Sequence, residues 1–101
     1  SYGAVSAAKA SLESYCRQLA LELSSKNIAV NAIQAGVTKT PALEKIPGHI
    51  EMIKHALKVN PGKRLTLPND VAHVINILGK SEQTWLTGNI IRVDGGEDIT
   101  S

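Results

Sequence analysis

The chain has 101 residues, of which 43% are hydrophobic and 20% charged, and its formal net charge is +2. This composition is typical of a single globular domain, and the scattered basic residues disfavour a nucleic-acid interface. No apolar run approaches the roughly 18 residues that a membrane-spanning helix needs, and one cysteine cannot form an internal disulfide. We therefore expect a soluble, cytoplasmic protein without nucleic-acid or membrane partners.

A long amphipathic helix is predicted over residues 3–24, because apolar side chains recur there at helical spacing. The predicted buried stripe consists of Leu12, Cys16, Leu19 and Leu23. A second, small-residue face, which would let another helix approach closely, consists of Ala4, Ala8, Ser11 and Tyr15.

Two strands are predicted, at residues 28–33 (IAVNAI) and 89–93 (NIIRV). Both are short, apolar and not alternating, which is typical of strands covered on both faces of a parallel sheet. A loop from Gly36 to Gly48 and two helices lie between them. The first of these helices has an apolar stripe of Ile50, Ile53 and Leu57 and ends at residues 60–62. The second helix has Asn69 or its neighbour as N-cap, and its buried side is predicted to consist of Val71, Val74, Ile75 and Leu78.

The order helix–strand–helix–helix–strand indicates an α/β fold. Two strands alone do not form a sheet that can separate two layers of helices. We therefore expect the chain to be the end of a larger, doubly wound domain with a parallel sheet.

Tyr2 and Lys9 are seven positions apart at the start of the first helix, so they share one helical face. An ammonium group near a phenol favours the phenolate, which makes the phenol a plausible proton donor. On spacing alone, a terminal aromatic residue and a solvated amine remain the favoured interpretation.

The segment NAIQAGVTKTPAL, residues 31–43, follows the first predicted strand. Loops at the carboxyl ends of parallel strands are where open α/β sheets bind ligands. Main-chain groups near Gly36 could bind a carboxamide, and the hydroxyl of Thr38 or Thr40 could bind a phosphate. Such a loop can also be ordinary turn and capping chemistry.

These segments, together with LTGNIIRVDGG at 86–96, resemble the C-terminal half of the short-chain dehydrogenase/reductase family. The resemblance covers essentially the whole chain and rests on the order of the motifs. It implies a Rossmann-type sheet and NADH or NADPH as cofactor. It also implies that Tyr2 is the catalytic acid or oxyanion stabiliser and that Lys9 holds the nicotinamide ribose and acidifies the tyrosine. The other cofactor-binding residues that it implies are Gly36, Val37, Thr38 and Thr40.

One departure from the family pattern narrows the resemblance. Most members have Tyr-x3-Lys, but this chain has Val5 at that tyrosine position and reads Tyr-x6-Lys. This spacing, and Ala35-Gly36 in place of Pro-Gly, resemble the enoyl-acyl carrier protein reductases of fatty acid biosynthesis. They transfer hydride to the β-carbon of an enoyl thioester. An acyl thioester, with acyl carrier protein as its candidate carrier, is the implied substrate, and residues 41–57 correspond to a mobile lid over the acyl chain.

The family's Gly-rich phosphate loop does not occur in the 101 residues. We therefore interpret residues 1–101 as a partial NAD(P)-binding domain without its N-terminal nucleotide-binding half, with incomplete cofactor binding and no activity in isolation. Two alternatives remain: the parent enzyme reduces 3-oxoacyl or other carbonyl substrates, or the chain is an inactive oligomerisation or packing module. The family resemblance implies a homotetramer.

Several other polar residues are interpreted as solvated or capping groups. The histidines lack metal-ligand spacing, so no metal site is expected. These are His49, His55 and His73. Three basic residues could attract an acidic carrier protein, although isolated surface charges are usually only solvated. These are Lys39, Lys45 and Arg64.

Overall fold

The computed structural model describes residues 3–100. Its helices and strands are α1 (Gly3–Leu23), β1 (Ala32–Ala35), α2 (Pro41–Glu44), α3 (His49–Val59), α4 (Pro68–Lys80) and β2 (Ile90–Val93). Two short 3₁₀ helices, Ser24–Lys26 and Glu97–Ile99, follow α1 and β2. The element order therefore confirms the predicted α/β pattern, with one additional helix, α2.

The chain divides into two compact units. The first contains the described residues up to Ile33 together with Ser81–Ile91. The second contains Gln34–Lys80 and the described residues from Arg92 onward. The helix α1 therefore belongs to the first unit, and α2, α3 and α4 belong to the second.

The strands β1 and β2 pair in a two-stranded sheet. The pairing is parallel, because the hydrogen bonds advance in the same direction along both strands. The Ala32 amide donates to the Asn89 carbonyl (2.9 Å), and four residues later the Gly36 amide donates to the Val93 carbonyl (3.1 Å). The parallel sheet predicted from the sequence is thus confirmed.

The helix α1 ends within one residue of its predicted end, but its apolar stripe is wrong in detail. Cys16 and Ala20 are its buried residues, whereas Leu12 and Leu19 are exposed. The Cys16 thiol lies 3.6 Å from the Val30 carbonyl oxygen, where α1 packs against the segment that precedes β1. A helix that packs through a single narrow face buries only the residues on that face, here Cys16 and Ala20, which explains the exposed leucines.

The first strand begins at Ala32, four residues later than predicted. Residues 28–31 precede the strand, and side chains make part of their pairing with residues 86–89, beside one main-chain bond from the Gly88 amide to the Val30 carbonyl (2.7 Å). The Val30 amide donates to the Thr87 hydroxyl oxygen (2.9 Å), and the Asn31 side chain donates to the Leu86 carbonyl (2.8 Å). The Asn and Thr of the two sequence motifs therefore join these segments where a regular ladder of main-chain bonds is interrupted.

The prediction that both strands are covered on two faces is also wrong for the described residues. No residue of β1 or β2 is fully buried, and Gln34, Ala35 and Arg92 are exposed. The apolar pattern of these strands is suited to a more extensive sheet than the two strands that residues 3–100 provide.

In the second unit, α2 lies within the segment predicted as a loop. Thr40 is its N-cap, with its hydroxyl oxygen accepting from the Leu43 amide at 3.2 Å, and Pro41 occupies its first turn. Proline and a threonine cap are a standard start signal for a helix. The sequence therefore contained the signal for this single turn.

The helix α4 begins at Pro68, so the prediction of Asn69 or its immediate neighbour as N-cap is wrong. Asp70 supplies the start signal from inside the first turn. Its carboxylate accepts a hydrogen bond from the Leu67 amide at 2.8 Å. A carboxylate that reaches back to the amide preceding a helix satisfies a donor that the helix itself cannot pair.

Candidate functional site

The proposed catalytic pair is only partly within the described residues. Tyr2 lies outside them, so its distance from Lys9 stays a prediction. Lys9 lies on α1 in the first unit, and its side chain is exposed. The remaining predicted site residues follow β1 in the second unit, in a segment that we call the glycine loop (residues 36–40).

Gly36 begins the glycine loop at a point where the main chain is tightly enclosed. A Cβ atom at this position would lie 2.5 Å from the Thr66 hydroxyl oxygen and 2.9 Å from the Asp94 Cβ. Both distances are shorter than van der Waals contact. Glycine is therefore needed here for close approach of the chain, as the sequence pattern suggested for a ligand loop.

Both main-chain groups of Val37 are bound within the protein. Its amide donates to the Glu97 carboxylate oxygen Oε2 (3.2 Å), and its carbonyl accepts from the Thr66 amide (3.1 Å). The side chain of Val37, rather than its peptide groups, is therefore the part available to a ligand. It lines a cleft of about 250 Å³ between α3 and the C-terminal 3₁₀ helix.

The two threonines of the glycine loop already make local hydrogen bonds. The Thr38 hydroxyl donates to the Gly36 carbonyl at 2.8 Å, and the Thr40 hydroxyl oxygen caps α2. Because the Thr40 hydroxyl accepts in its capping bond, its hydrogen remains a donor that a phosphate oxygen could use. Within residues 3–100, the main-chain amide and carbonyl of Thr38 have no hydrogen-bond partner.

Two connected turns hold Asp94, the residue that approaches Gly36. The Asn60 side chain, which is buried, donates to the Asp94 carbonyl (3.0 Å) and accepts from the Gly62 amide (2.7 Å). The Asp94 carboxylate accepts from the Gly96 amide (3.0 Å). Each turn is thus closed by an Asn or Asp side chain that accepts from the amide two residues later.

The sequence did not single out the supporting side chains Thr66 and Glu97. Both contact Val37 or Gly36 from more than 25 positions away along the chain. The turns themselves were signalled by the glycines of Asn60-Pro61-Gly62 and of 94–96. Which long-range partner meets the loop has no local sequence signal.

A larger cleft of about 460 Å³ lies beside α4. Arg64 and Asp70 form a two-point ion pair there, with N···O distances of 2.7 and 3.0 Å. Hydrogen bonds from the Arg64 guanidinium and the Leu67 amide lower the pKa of Asp70 to about 2. Arg64, which the sequence offered as a candidate contact for an acidic partner, thus has a carboxylate partner within the protein.

Residues 3–100 show neither of two further kinds of functional element. The helices of this part of the chain include none that is long and apolar enough to cross a bilayer. Among the same residues, no cluster of three or more His, Cys, Asp or Glu side chains is arranged to hold a metal ion.

In both sequence and structure, this chain is similar to proteins named as acyl-carrier-protein reductases. The chain is 38% identical over 98 residues to the protein named enoyl-[acyl-carrier-protein] reductase [NADH] FabI from Nostoc, covering 97% of this chain and 38% of that protein. It is 38% identical over 90 residues to 3-oxoacyl-[acyl-carrier-protein] reductase FabG from Thermotoga maritima, covering 89% and 36%. The crystal structure of enoyl-[acyl-carrier-protein] reductase (NADH) from Aquifex aeolicus superimposes with a TM-score of 0.81 at 35% identity, covering 97% and 38%.

The chain therefore spans less than two-fifths of the length of these relatives. The similarity in structure to the Aquifex enzyme confirms the predicted Rossmann-type α/β fold class. The family model described as Enoyl-(Acyl carrier protein) reductase matches residues 1–98, which is nearly the entire chain. The chain belongs to the enoyl-(acyl carrier protein) reductase family of the short-chain dehydrogenases/reductases.

Proposed function

We propose that this chain is the catalytic C-terminal part of an NAD(P)H-dependent enoyl-thioester reductase that acts in fatty acid biosynthesis. The family match over residues 1–98 is the observation that carries the proposal. The Tyr-x6-Lys spacing and Ala35-Gly36 support enoyl rather than carbonyl reduction. The nucleotide-binding half of the enzyme lies outside the 101 residues in this proposal, so the activity belongs to the longer protein.

The residues present fit a dinucleotide in part. Lys9 is an exposed cation, which can donate hydrogen bonds to ribose hydroxyls. In the glycine loop, the Thr38 peptide groups have no partner among the described residues, and the Thr40 hydroxyl retains its hydrogen as a donor. Those groups match a carboxamide and a phosphate, respectively. The reduced cofactor supplies the hydride.

The protein's own contribution is to stabilise the charge that develops on the substrate. Addition of hydride at the β-carbon of an enoyl thioester moves an electron pair onto the carbonyl oxygen and gives an enolate. In this proposal the Tyr2 phenol donates a hydrogen bond to that oxygen, and the Lys9 charge strengthens it as a donor. Transfer of a proton from water to the α-carbon then discharges the enolate and gives the saturated thioester.

Removal of the pair tests this assignment. We expect Tyr2→Phe and Lys9→Ala, made in the longer protein, each to reduce turnover of a crotonyl thioester by about 10²-fold or more. The measurement is the crotonyl-dependent loss of absorbance of NADH and, separately, of NADPH. Tyr15→Phe, which keeps the aromatic ring, and Lys26→Ala are matched controls, and both residues are exposed.

Undiminished turnover in the Tyr2→Phe, Lys9→Ala double variant would reject the assigned roles. Loss of activity in the control variants to the same extent would show that the substitutions act through folding. The two coenzymes, compared side by side, also establish the preference between NADH and NADPH.

Carbonyl reduction is the second candidate, favoured by the similarity to the 3-oxoacyl-[acyl-carrier-protein] reductase of Thermotoga maritima. Val5 counts against it, because it replaces the tyrosine of the common Tyr-x3-Lys pattern. A panel of enoyl and 3-oxoacyl thioesters, free and on acyl carrier protein, distinguishes the two activities. Reduction of the ketones without reduction of the enoyl substrates would replace the first proposal by the second.

We also propose that the longer protein assembles as a homotetramer in the cytoplasm. Apolar residues exposed along α1, such as Leu12, Tyr15 and Leu19, support an assembled or otherwise covered helix. The free thiol of Cys16 is compatible with a reducing compartment. Sedimentation of the longer protein tests the assembly, and a monomer would contradict it.

A further inference from the structure

Glu97 makes a long-range hydrogen bond that the function proposed above does not use. It lies at the start of the 3₁₀ helix that follows β2, and its Oε2 atom accepts from the Val37 amide at 3.2 Å. The two residues are 60 positions apart. Glu97 therefore connects the C-terminal turn of the second unit to the middle of the glycine loop.

The other oxygen of the same carboxylate is unusual. Glu97 Oε1 is buried and has no hydrogen-bond partner among the described residues. A buried carboxylate oxygen without a partner is destabilising, because it has lost its hydrogen bonds to water and no hydrogen bond within the protein replaces them. A shorter or apolar side chain would avoid that cost, so the carboxylate is best explained by the bond that it makes to Val37.

The turn that carries Glu97 is itself firmly held. The Glu97 amide donates to the Asp94 carbonyl at 3.1 Å, and the Asp94 carboxylate accepts from the Gly96 amide at 3.0 Å. The same Asp94 carbonyl accepts from the buried Asn60 side chain. Glu97 therefore belongs to a turn that several hydrogen bonds hold in place, and its carboxylate is a positioned acceptor for the Val37 amide.

The contact determines which groups of the glycine loop face a ligand. With its amide on Glu97 and its carbonyl on Thr66, Val37 has no free peptide group, and the next main-chain groups available are those of Thr38. A loop held in this way has its binding groups in place before the cofactor arrives, which reduces the ordering cost of binding.

We propose that Glu97 is a positioning residue for the dinucleotide site: its carboxylate anchors the Val37 amide and thereby presents the Thr38 peptide groups to the nicotinamide end of the cofactor. This inference rests on the function proposed above. It assigns no proton transfer or covalent step to Glu97. Its effect is on the fraction of the protein in which the glycine loop is ready to bind.

Two substitutions in the longer protein test the proposal. Glu97→Leu has a side chain of similar size but removes the acceptor, and Glu97→Gln keeps an oxygen that can accept from the Val37 amide. For Glu97→Leu we expect the dissociation constant of the preferred dinucleotide to rise about tenfold or more, with kcat at saturating dinucleotide within about twofold of wild type. Glu97→Gln should stay within about twofold of wild type in both.

The readouts are quenching or enhancement of NADH and NADPH fluorescence, steady-state kinetics, and amide hydrogen exchange of the peptide that contains the glycine loop. We expect Glu97→Leu to speed exchange in this peptide and Glu97→Gln to restore protection. Glu82→Leu is the matched control, because Glu82 is exposed and lies outside the second unit. It should leave both exchange and affinity unchanged.

The outcomes separate this inference from the proposed function. If wild type binds the dinucleotide and Glu97→Leu binds it equally well, the positioning role is wrong while the proposed function stands. Unchanged exchange in the glycine loop of Glu97→Leu would overturn it as well, independently of activity. If wild type binds neither NADH nor NADPH, both the proposed function and the positioning role are overturned.

Discussion

At the scale of single residues, Gly36 is the position where sequence and structure agree most directly. The glycine was conspicuous in the sequence because it interrupts an apolar strand, and the structure shows the atoms that exclude a side chain. Thr66 and Asp94 approach it from two directions. This close approach fixes the point at which the glycine loop leaves β1.

We expect Gly36→Ala to lower the free energy of unfolding by about 1–3 kcal/mol, because the new methyl group overlaps Thr66 and Asp94. Urea denaturation measures the change. Gly79→Ala is the control: apart from its own stretch of helix, no atom lies within 4 Å of a Cβ there, and alanine favours the helix. Thr66→Ala should partly rescue Gly36→Ala, and an equal loss of stability with and without that rescue would contradict the proposed overlap.

At the scale of elements, the helix starts show what sequence patterns can and cannot predict. The length of α1 was predictable from apolar periodicity. In α3 the buried residue is Ala56, whereas Ile50 and Leu57 of the predicted stripe are exposed. The start of α2 has a signal in Thr40-Pro41, although the segment was predicted as a loop. The start of α4 has the same proline signal at Pro68, but the pattern did not show that Asp70 binds the Leu67 amide from within the helix and is held by Arg64. Their pairing depends on how the chain folds between them, which no local pattern encodes.

The Arg64–Asp70 pair gives α4 a pH-dependent contribution to stability. The pKa of Asp70 is lowered from 3.8 to about 2 in the folded protein, so the carboxylate is stabilising when it is charged. This contribution is complete above pH 3.8 and is lost as the pH falls towards about 2. It should be small because the pair is well exposed to solvent.

Asp70→Asn removes the charge but keeps an oxygen that can accept from the Leu67 amide. We expect this variant to unfold at a lower urea concentration than wild type at pH 7, with the difference shrinking as the pH falls from 4 towards 2. Glu82→Gln, at an exposed carboxylate outside α4, controls for general loss of charge. A difference that is constant between pH 7 and pH 2 would contradict the ion-pair explanation.

At the scale of the whole molecule, the fold class agrees with the prediction from the sequence. Several apolar residues that were predicted to be buried are instead at the surface. Leu12 and Leu19 on α1 and the residues of β1 have apolar patterns suited to covered elements, yet they are exposed or only half-buried in residues 3–100. Periodicity indicates which residues pack against something. It does not indicate whether the packing partner belongs to the same 101 residues, so the fold class was predictable and the burial was not.

The same reasoning predicts no catalysis by the 101 residues alone. They contain no Gly-rich phosphate loop, so we expect the isolated chain to show no crotonyl-dependent oxidation of NADH or NADPH above the rate without protein. The longer protein serves as the positive control in the same assay. Turnover by the isolated chain, abolished by Lys9→Ala, would overturn the interpretation of residues 1–101 as a partial domain.

Val37 combines a fixed main chain with a side chain that borders an open cleft. Selection can therefore vary its side chain without disturbing the hydrogen bonds that shape the glycine loop. Such a position is favourable for evolving or engineering a new preference, because changes in size and polarity alter the cleft at little cost to folding. A library restricted to Val37 would diversify the cleft while the loop that forms its wall stays in place.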